Sequence, residues 1–262
     1  MQNLIIFSIF SPTLMNLKLL SKKLFTCLIA GCCIAALLLV LGNSGNIPWF
    51  PPAVVFSLVG LSIITALIFP LVWQFLENKQ KIDSSKVYGF IYTLIRFSIA
   101  FNLMSFGWKK ILGLQFVVPD EISSKPMNQQ SGEWLTWYYF GYSLSFGLIT
   151  AAIQIVGSYL LLFRKTMLLA AIILFSFMLN LTLINIFYGM NAGALLQSVV
   201  LTIGILFLLL IDYQRLIVFF LKTKSNILAI SFPNTFIKNI IRFSIVILSL
   251  LFTLYLKTLI KS

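Results

Sequence analysis

The amino-acid sequence predicts an all-α protein, a polytopic membrane helix bundle of about seven transmembrane helices. Three observations carry this reading. Of the 262 residues, 60% are hydrophobic and only 10% are charged, against roughly 25% charged in a soluble domain. Seven apolar runs are each long enough to cross a bilayer. The Lys and Arg residues fall between those runs in alternating abundance, which is the pattern that orients membrane helices. The net charge of +13 is therefore read as loop charge and not as a nucleic-acid interface, because there is no soluble basic face to carry one.

The first apolar run spans about Leu24 to Leu41, after Lys18, Lys22 and Lys23. It has the charged and apolar regions of a signal peptide, but its length suits an uncleaved anchor better. Met15 opens the basic stretch before it and is the expected start. Cys27, Cys32 and Cys33 all lie in this run. Their spacing is neither C-x-x-C nor a zinc pattern, so they are read as small apolar residues. An uncharged loop with Trp49 between Pro48 and Pro51 suits the membrane interface. The second helix covers about Ala53 to Phe75, with Pro70 near its end, and the charged loop Glu77 to Lys86 follows. The third covers about Tyr88 to Ile111. Gly113 to Glu133 is the longest polar stretch, and it leads into Trp134, Trp137, Tyr138, Tyr139, Phe140 and Tyr142, an aromatic belt expected to form a short surface helix. The remaining helices are expected at about Ser143 to Phe163, Met167 to Phe187, Ala192 to Ile211 and Asn239 to Leu256. Tight turns at Arg164-Lys165-Thr166 and Tyr188 to Asn191 make the fourth, fifth and sixth antiparallel neighbours.

One set of loops carries thirteen basic residues: Lys18, Lys22, Lys23, Lys79, Lys81, Lys86, Arg164, Lys165, Arg215, Lys222, Lys224, Lys238 and Arg242. The other carries five: Lys109, Lys110, Lys125, Lys257 and Lys261. The expected orientation has the N-terminus in the cytoplasm, the C-terminus outside, and the polar stretch facing outward.

The chain has no His and only six carboxylates, Glu77, Asp83, Asp120, Glu121, Glu133 and Asp212, all in loops or at helix ends. A proton relay of buried carboxylates is not expected. Arg96 is the sharpest polar feature, roughly 12–15 Å into its helix at 1.5 Å per residue. It either snorkels to the membrane face or faces the bundle, where it would bind a quinone carbonyl or an anionic headgroup. With no carboxylate in a neighbouring span, its partners would be backbone carbonyls, Asn, Gln or water. Asn102, Gln154, Asn180, Asn185 and Gln197 are the other polar residues expected to be buried, each explicable by an interhelical hydrogen bond of about 0.6 kcal/mol. Asn180 and Asn185 lie about 140° apart and need separate partners. Ala151, Ala152, Gly157 and Ser158 suggest close packing of the fourth helix, and Ala192, Gly193 and Ala194 suggest the same at the head of the sixth.

The string Arg96 to Phe116 resembles the first helix of DoxX-like membrane proteins, in which an Arg opens the span and an aromatic-Gly-aromatic, a Lys and a Gln-Phe pair close it. The matching positions are Arg96, Phe106, Gly107, Trp108, Lys110, Gln115 and Phe116. Gly157 and the run Leu160 to Thr166 resemble the family's leucine run and basic turn. Asn180 and Asn185 match polar positions of its third helix, and Asp212 and Arg215 match the end of its fourth. The resemblance covers about residues 88–220.

It implies a four-helix core over residues 87–220, preceded by a two-helix extension (1–86) and followed by a basic linker and last helix (221–262). It also departs from the family. In one branch a Glu stands where this chain has Gln154, and an Asp and a Lys where it has Gly189 and Gly193. The resemblance implies a non-enzymatic subunit of the bacterial cytoplasmic membrane that binds a quinone-like molecule, a lipid or a protein partner such as a membrane or extracytoplasmic redox protein. A quinone-linked oxidoreductase component and a small-solute transporter are the alternatives. Arg96, Asn102, Gln115, Gln154, Asn180 and Asn185 are the candidate ligand-binding residues, with no catalytic or metal-binding residue and quinone as the candidate cofactor.

Overall fold

The computed structural model describes residues 20–42, 50–223 and 235–261. The expectations about Met15, Lys18, Trp49 and Lys224, and about the side chains of Lys238 and Lys261, lie outside the described residues and side chains. The described residues form helices joined by turns: α1 (Leu20–Gly42), α2 (Pro52–Asn78), α3 (Ser84–Ile111), α4 (Asp120–Ser123), α5 (Gly132–Gly141), α6 (Leu144–Leu161), α7 (Met167–Phe187), α8 (Ala192–Ile211), α9 (Tyr213–Ile217) and α10 (Thr235–Lys261). Six of these, α1 to α3 and α6 to α8, are long and apolar enough to cross a membrane, as is Asn239–Lys257 within α10. The chain is thus an all-α, multi-pass membrane bundle with seven such spans among the described residues.

Residues up to Ile217 make one compact unit, and those from Val218 make a second. In the first, α3, α6, α7 and α8 pack in a ring, each against the next. α1 lies against α3 and α8, and α2 lies against α1. One hydrophobic core joins them, running from Cys33 and Trp73 through Ile95, Ile99 and Leu103 to Leu174, Leu201 and Leu208. Outward faces remain apolar, as at Phe56, Leu61 and Phe90, which is what a lipid solvent selects. Pro70 is accommodated inside α2, which continues to Asn78. In the second unit, the described side chains of α10 are exposed almost throughout.

Close helix approach rests on small residues, as expected where lipid removes most of the hydrophobic drive for association. A Cβ on Gly107 would come within 2.6 Å of Ile155 Cγ1 and 3.1 Å of the Ala151 carbonyl oxygen, so α3 and α6 meet backbone to backbone there. Gly157 is similarly closed by Leu174, and Gly204 by Ile99 and Cys33. Gly107→Ala is expected to destabilise the bundle by about 1–3 kcal/mol, read as an earlier thermal transition in detergent. An unchanged transition would mean that α3 and α6 separate freely. Two small-residue expectations are corrected. Ala152 points away from the bundle, and Ala192 and Gly193 are exposed, because the tight contacts of α6 and α8 lie on other faces. The three cysteines carry free thiols, with Cys27 and Cys33 buried in α1.

The helix starts also differ from expectation. α1 begins at Leu20, so Lys23 is not a loop charge but a helical residue, 1% exposed. It pairs with Glu77 at the end of α2 and donates to Gln74 Oε1 at 2.7 Å. Glu77 also accepts from Ser84 Oγ, and Ser84 Oγ accepts from Trp73 Nε1 at 2.9 Å. Lys23 lies 5.2 Å over the Trp73 ring. This network binds the same ends of α1, α2 and α3 together. Asp83 caps α3 by accepting from the Ser85 amide.

Candidate functional site: a lysine-bearing cavity under the aromatic helix

Arg96 is resolved as a helix cap. α6 ends at Leu161, and the last carbonyls of any helix lack intrahelical donors. Arg96 Nε and Nη2 donate to the Leu161 carbonyl oxygen at 3.1 and 2.9 Å, and Nη2 donates to that of Leu162 at 2.7 Å. The cation meets the negative end of the α6 dipole. Its side chain is 2% exposed, so it neither snorkels nor opens onto the cavity described next.

That cavity lies at the opposite end of the ring. It holds about 120 Å³ and is walled by the C-terminal turns of α3, the middle of α6, the end of α7, the head of α8 and the aromatic helix α5. The aromatic segment forms a short helix, as expected, and packs on α6 and α7. It can come close because Gly132 abuts the Tyr188 carbonyl of the α7–α8 turn, where a Cβ would sit 2.4 Å from that oxygen. Phe116 forms part of the rim with φ +68°, an unusual backbone state for a bulky residue. Its ring stacks on Phe140 at 5.2 Å and meets Trp137 edge-on at 6.0 Å.

Lys110 sets the chemistry. Its Nζ donates to Gln154 Oε1 at 2.8 Å, to Gln115 Oε1 at 3.1 Å and, weakly, to the Phe106 carbonyl at 3.5 Å, and lies 5.4 Å over the Phe116 ring. Among the described residues no carboxylate lines the cavity. An ammonium held by neutral acceptors in an apolar surround is costly, and its longest hydrogen bond is at the geometric limit. A ligand oxygen of carbonyl character would replace that third contact as a better-placed acceptor, and an anionic oxygen would also balance the charge.

Of the six candidate residues, the structure brings three to this cavity: Gln115, Gln154 and Asn185. Asn185 also donates to the Ala194 carbonyl at 3.1 Å, tying α7 to α8. Gln197 lines the cavity too and donates to the Ala36 carbonyl of α1 at 3.1 Å. Arg96 and Asn102 do not line it. Asn102 is buried at 0% exposure, and among the described residues neither of its side-chain polar atoms has a hydrogen-bond partner. The expectation that Asn180 is buried is corrected. It lies on the exposed face of α7, because the 140° between it and Asn185 turns one outward when the other points in.

Lys110 stands in the sequence among the outer-side charges and the positions that resemble the DoxX-like motif, but not among the six candidate ligand-binding residues. The signal that locates it is helical phase: Leu103 and Lys110 follow Arg96 at seven and fourteen residues, so all three share one stripe of α3. Among the described residues no group of His, Cys, Asp or Glu could hold a metal. No family model, curated protein or solved structure matched the chain.

Proposed function

We propose that this chain is a DoxX-like protein of the bacterial cytoplasmic membrane that binds a quinone-like molecule in the Lys110 cavity. It acts as a non-enzymatic subunit beside a membrane or extracytoplasmic redox protein. Its N-terminus is cytoplasmic and its C-terminus external, so the cavity lies toward the outer face. One observation carries the ligand assignment: a lysine with no counter-ion among the described residues faces an aromatic-walled cavity, its ammonium held by Gln154 and Gln115. Intramembrane ionisable groups of this kind mark binding sites. The cavity is close to the roughly 150 Å³ that accommodates a benzene ring, so it suits one six-membered ring with an oxygen toward Lys110. Lys110 is the one titratable group among the described wall residues, an arrangement that supports binding over turnover.

The test is quenching of tryptophan fluorescence, Trp137 being in the wall, by a short-chain benzoquinone added to purified protein in detergent. Lys110→Met is expected to weaken binding about 10-fold or more, the value of a hydrogen bond from a charged donor. Equal binding by the two proteins, or none by the wild type, would remove the reading.

A further inference from the structure

A second cavity lies at the other end of the ring, far from Lys110 along α3. It holds about 260 Å³, between the second turn of α3, the α6–α7 turn and the junction of α8 with α9. Tyr88, Tyr92, Arg164, Asp212 and Arg215 line it. Asp212 and Arg215 form an ion pair at 3.0 Å and cancel. Arg164 is exposed, and among the described residues no carboxylate pairs with it. The walls therefore carry one surplus positive charge. Arg96 reinforces it from below, its guanidinium 5.6 Å from the Tyr92 ring. Among the described residues, Tyr92 Oη has only the Met167 thioether as acceptor, at 3.5 Å, a weak partner that a better oxygen would displace.

We infer that this cavity binds a singly charged phosphate group, with the Arg164 guanidinium as its principal ligand and the Tyr88 and Tyr92 hydroxyls as further donors. A guanidinium presents paired N–H groups that match two phosphate oxygens. One surplus charge matches a phosphodiester rather than a polyphosphate. The source is an anionic phospholipid headgroup. The cavity opens where the apolar spans end, and exposed Phe90 and Phe163 flank Tyr88 and Arg164 in the chain, offering apolar surface for acyl chains. Basic pockets between transmembrane helices are used for such headgroups. This site is independent of the quinone reading.

The experiment is native mass spectrometry of the full-length protein from detergent containing phosphatidylglycerol or phosphatidylcholine, with a thermal-shift series in inorganic phosphate alone. Phosphatidylglycerol is expected to be retained about fivefold over phosphatidylcholine, with the preference lost in Arg164→Ala and reduced in Tyr88→Phe. Arg164 sits in an exposed turn, and the lipid-free thermal transition of each variant checks that it is folded. A shift with inorganic phosphate that Arg164→Ala abolishes, without lipid preference, would keep the oxyanion site and assign it to the free ion, overturning the lipid source. Equal retention of both lipids with no phosphate shift, or a preference that survives Arg164→Ala, overturns the site.

Discussion

Arg96→Met is expected to cost about 2–5 kcal/mol of stability, with a correspondingly earlier loss of helical circular dichroism on heating in detergent. The substitution removes three hydrogen bonds from one charged donor and leaves the Leu161 and Leu162 carbonyl oxygens unmatched. In lipid no water replaces the lost donor. The α6 dipole also loses the cation at its negative end. Arg96→Lys should fall between, because a single ammonium cannot reproduce the fork that spans two carbonyls. The same variant separates the two uses of an intramembrane arginine. A capping role moves stability and leaves benzoquinone quenching at the Lys110 cavity nearly unchanged in the folded fraction. A protein that unfolds with the wild type but fails to bind would contradict the cap.

Glu77→Ala is expected to cost about 3–5 kcal/mol, the usual result of stranding one member of a buried ion pair. Lys23 is the more deeply buried partner, at 1% side-chain exposure against 16% for Glu77. It would keep Gln74 as a neutral acceptor, which does not balance the charge. Removing both charges with Lys23→Met and Glu77→Leu should cost less than Glu77→Ala alone, since the desolvation of both ions disappears with the pair. A double-mutant cycle in thermal unfolding measures this coupling. Additive losses would show that the two side chains act separately and that the ends of α1 and α2 are held by packing alone.

Much of the fold is legible in the sequence because lipid imposes long, uninterrupted apolar runs. Met167–Phe187 and Ala192–Ile211 begin and end where short polar turns force them to. α1, α2 and α3 extend beyond their apolar runs by about a turn, because Lys23, Glu77 and Ser84 are satisfied by one another rather than by water. That pairing joins residues 54 positions apart and has no local signature. The docking of α1 against α3 and α8 is equally silent, since lipid-facing and helix-facing apolar residues look alike. At the site, Gln154 and Asn185 stand out as polar residues within apolar runs. Lys110 does not, because a lysine at the end of a span ordinarily reaches for the headgroups. Only the crossing of α3 with α6 at Gly107, together with the aromatic cover of α5, turns it inward.

The cap on α6 also dictates timing during synthesis. Arg96 and its acceptor Leu161 are separated by 65 residues, and among the described residues no group nearer in the chain is hydrogen-bonded to the guanidinium nitrogens. At about 5–20 residues per second, the ribosome needs roughly 3–13 s to deliver the acceptor after the arginine has emerged. An unmatched arginine at the centre of a helix opposes membrane partition by about 2.5–3.5 kcal/mol. α3 therefore gains its full reason to leave the insertion machinery only when α6 arrives beside it. The two helices are expected to enter the bilayer as a pair, a delay written into the chain by where one basic residue finds its carbonyls.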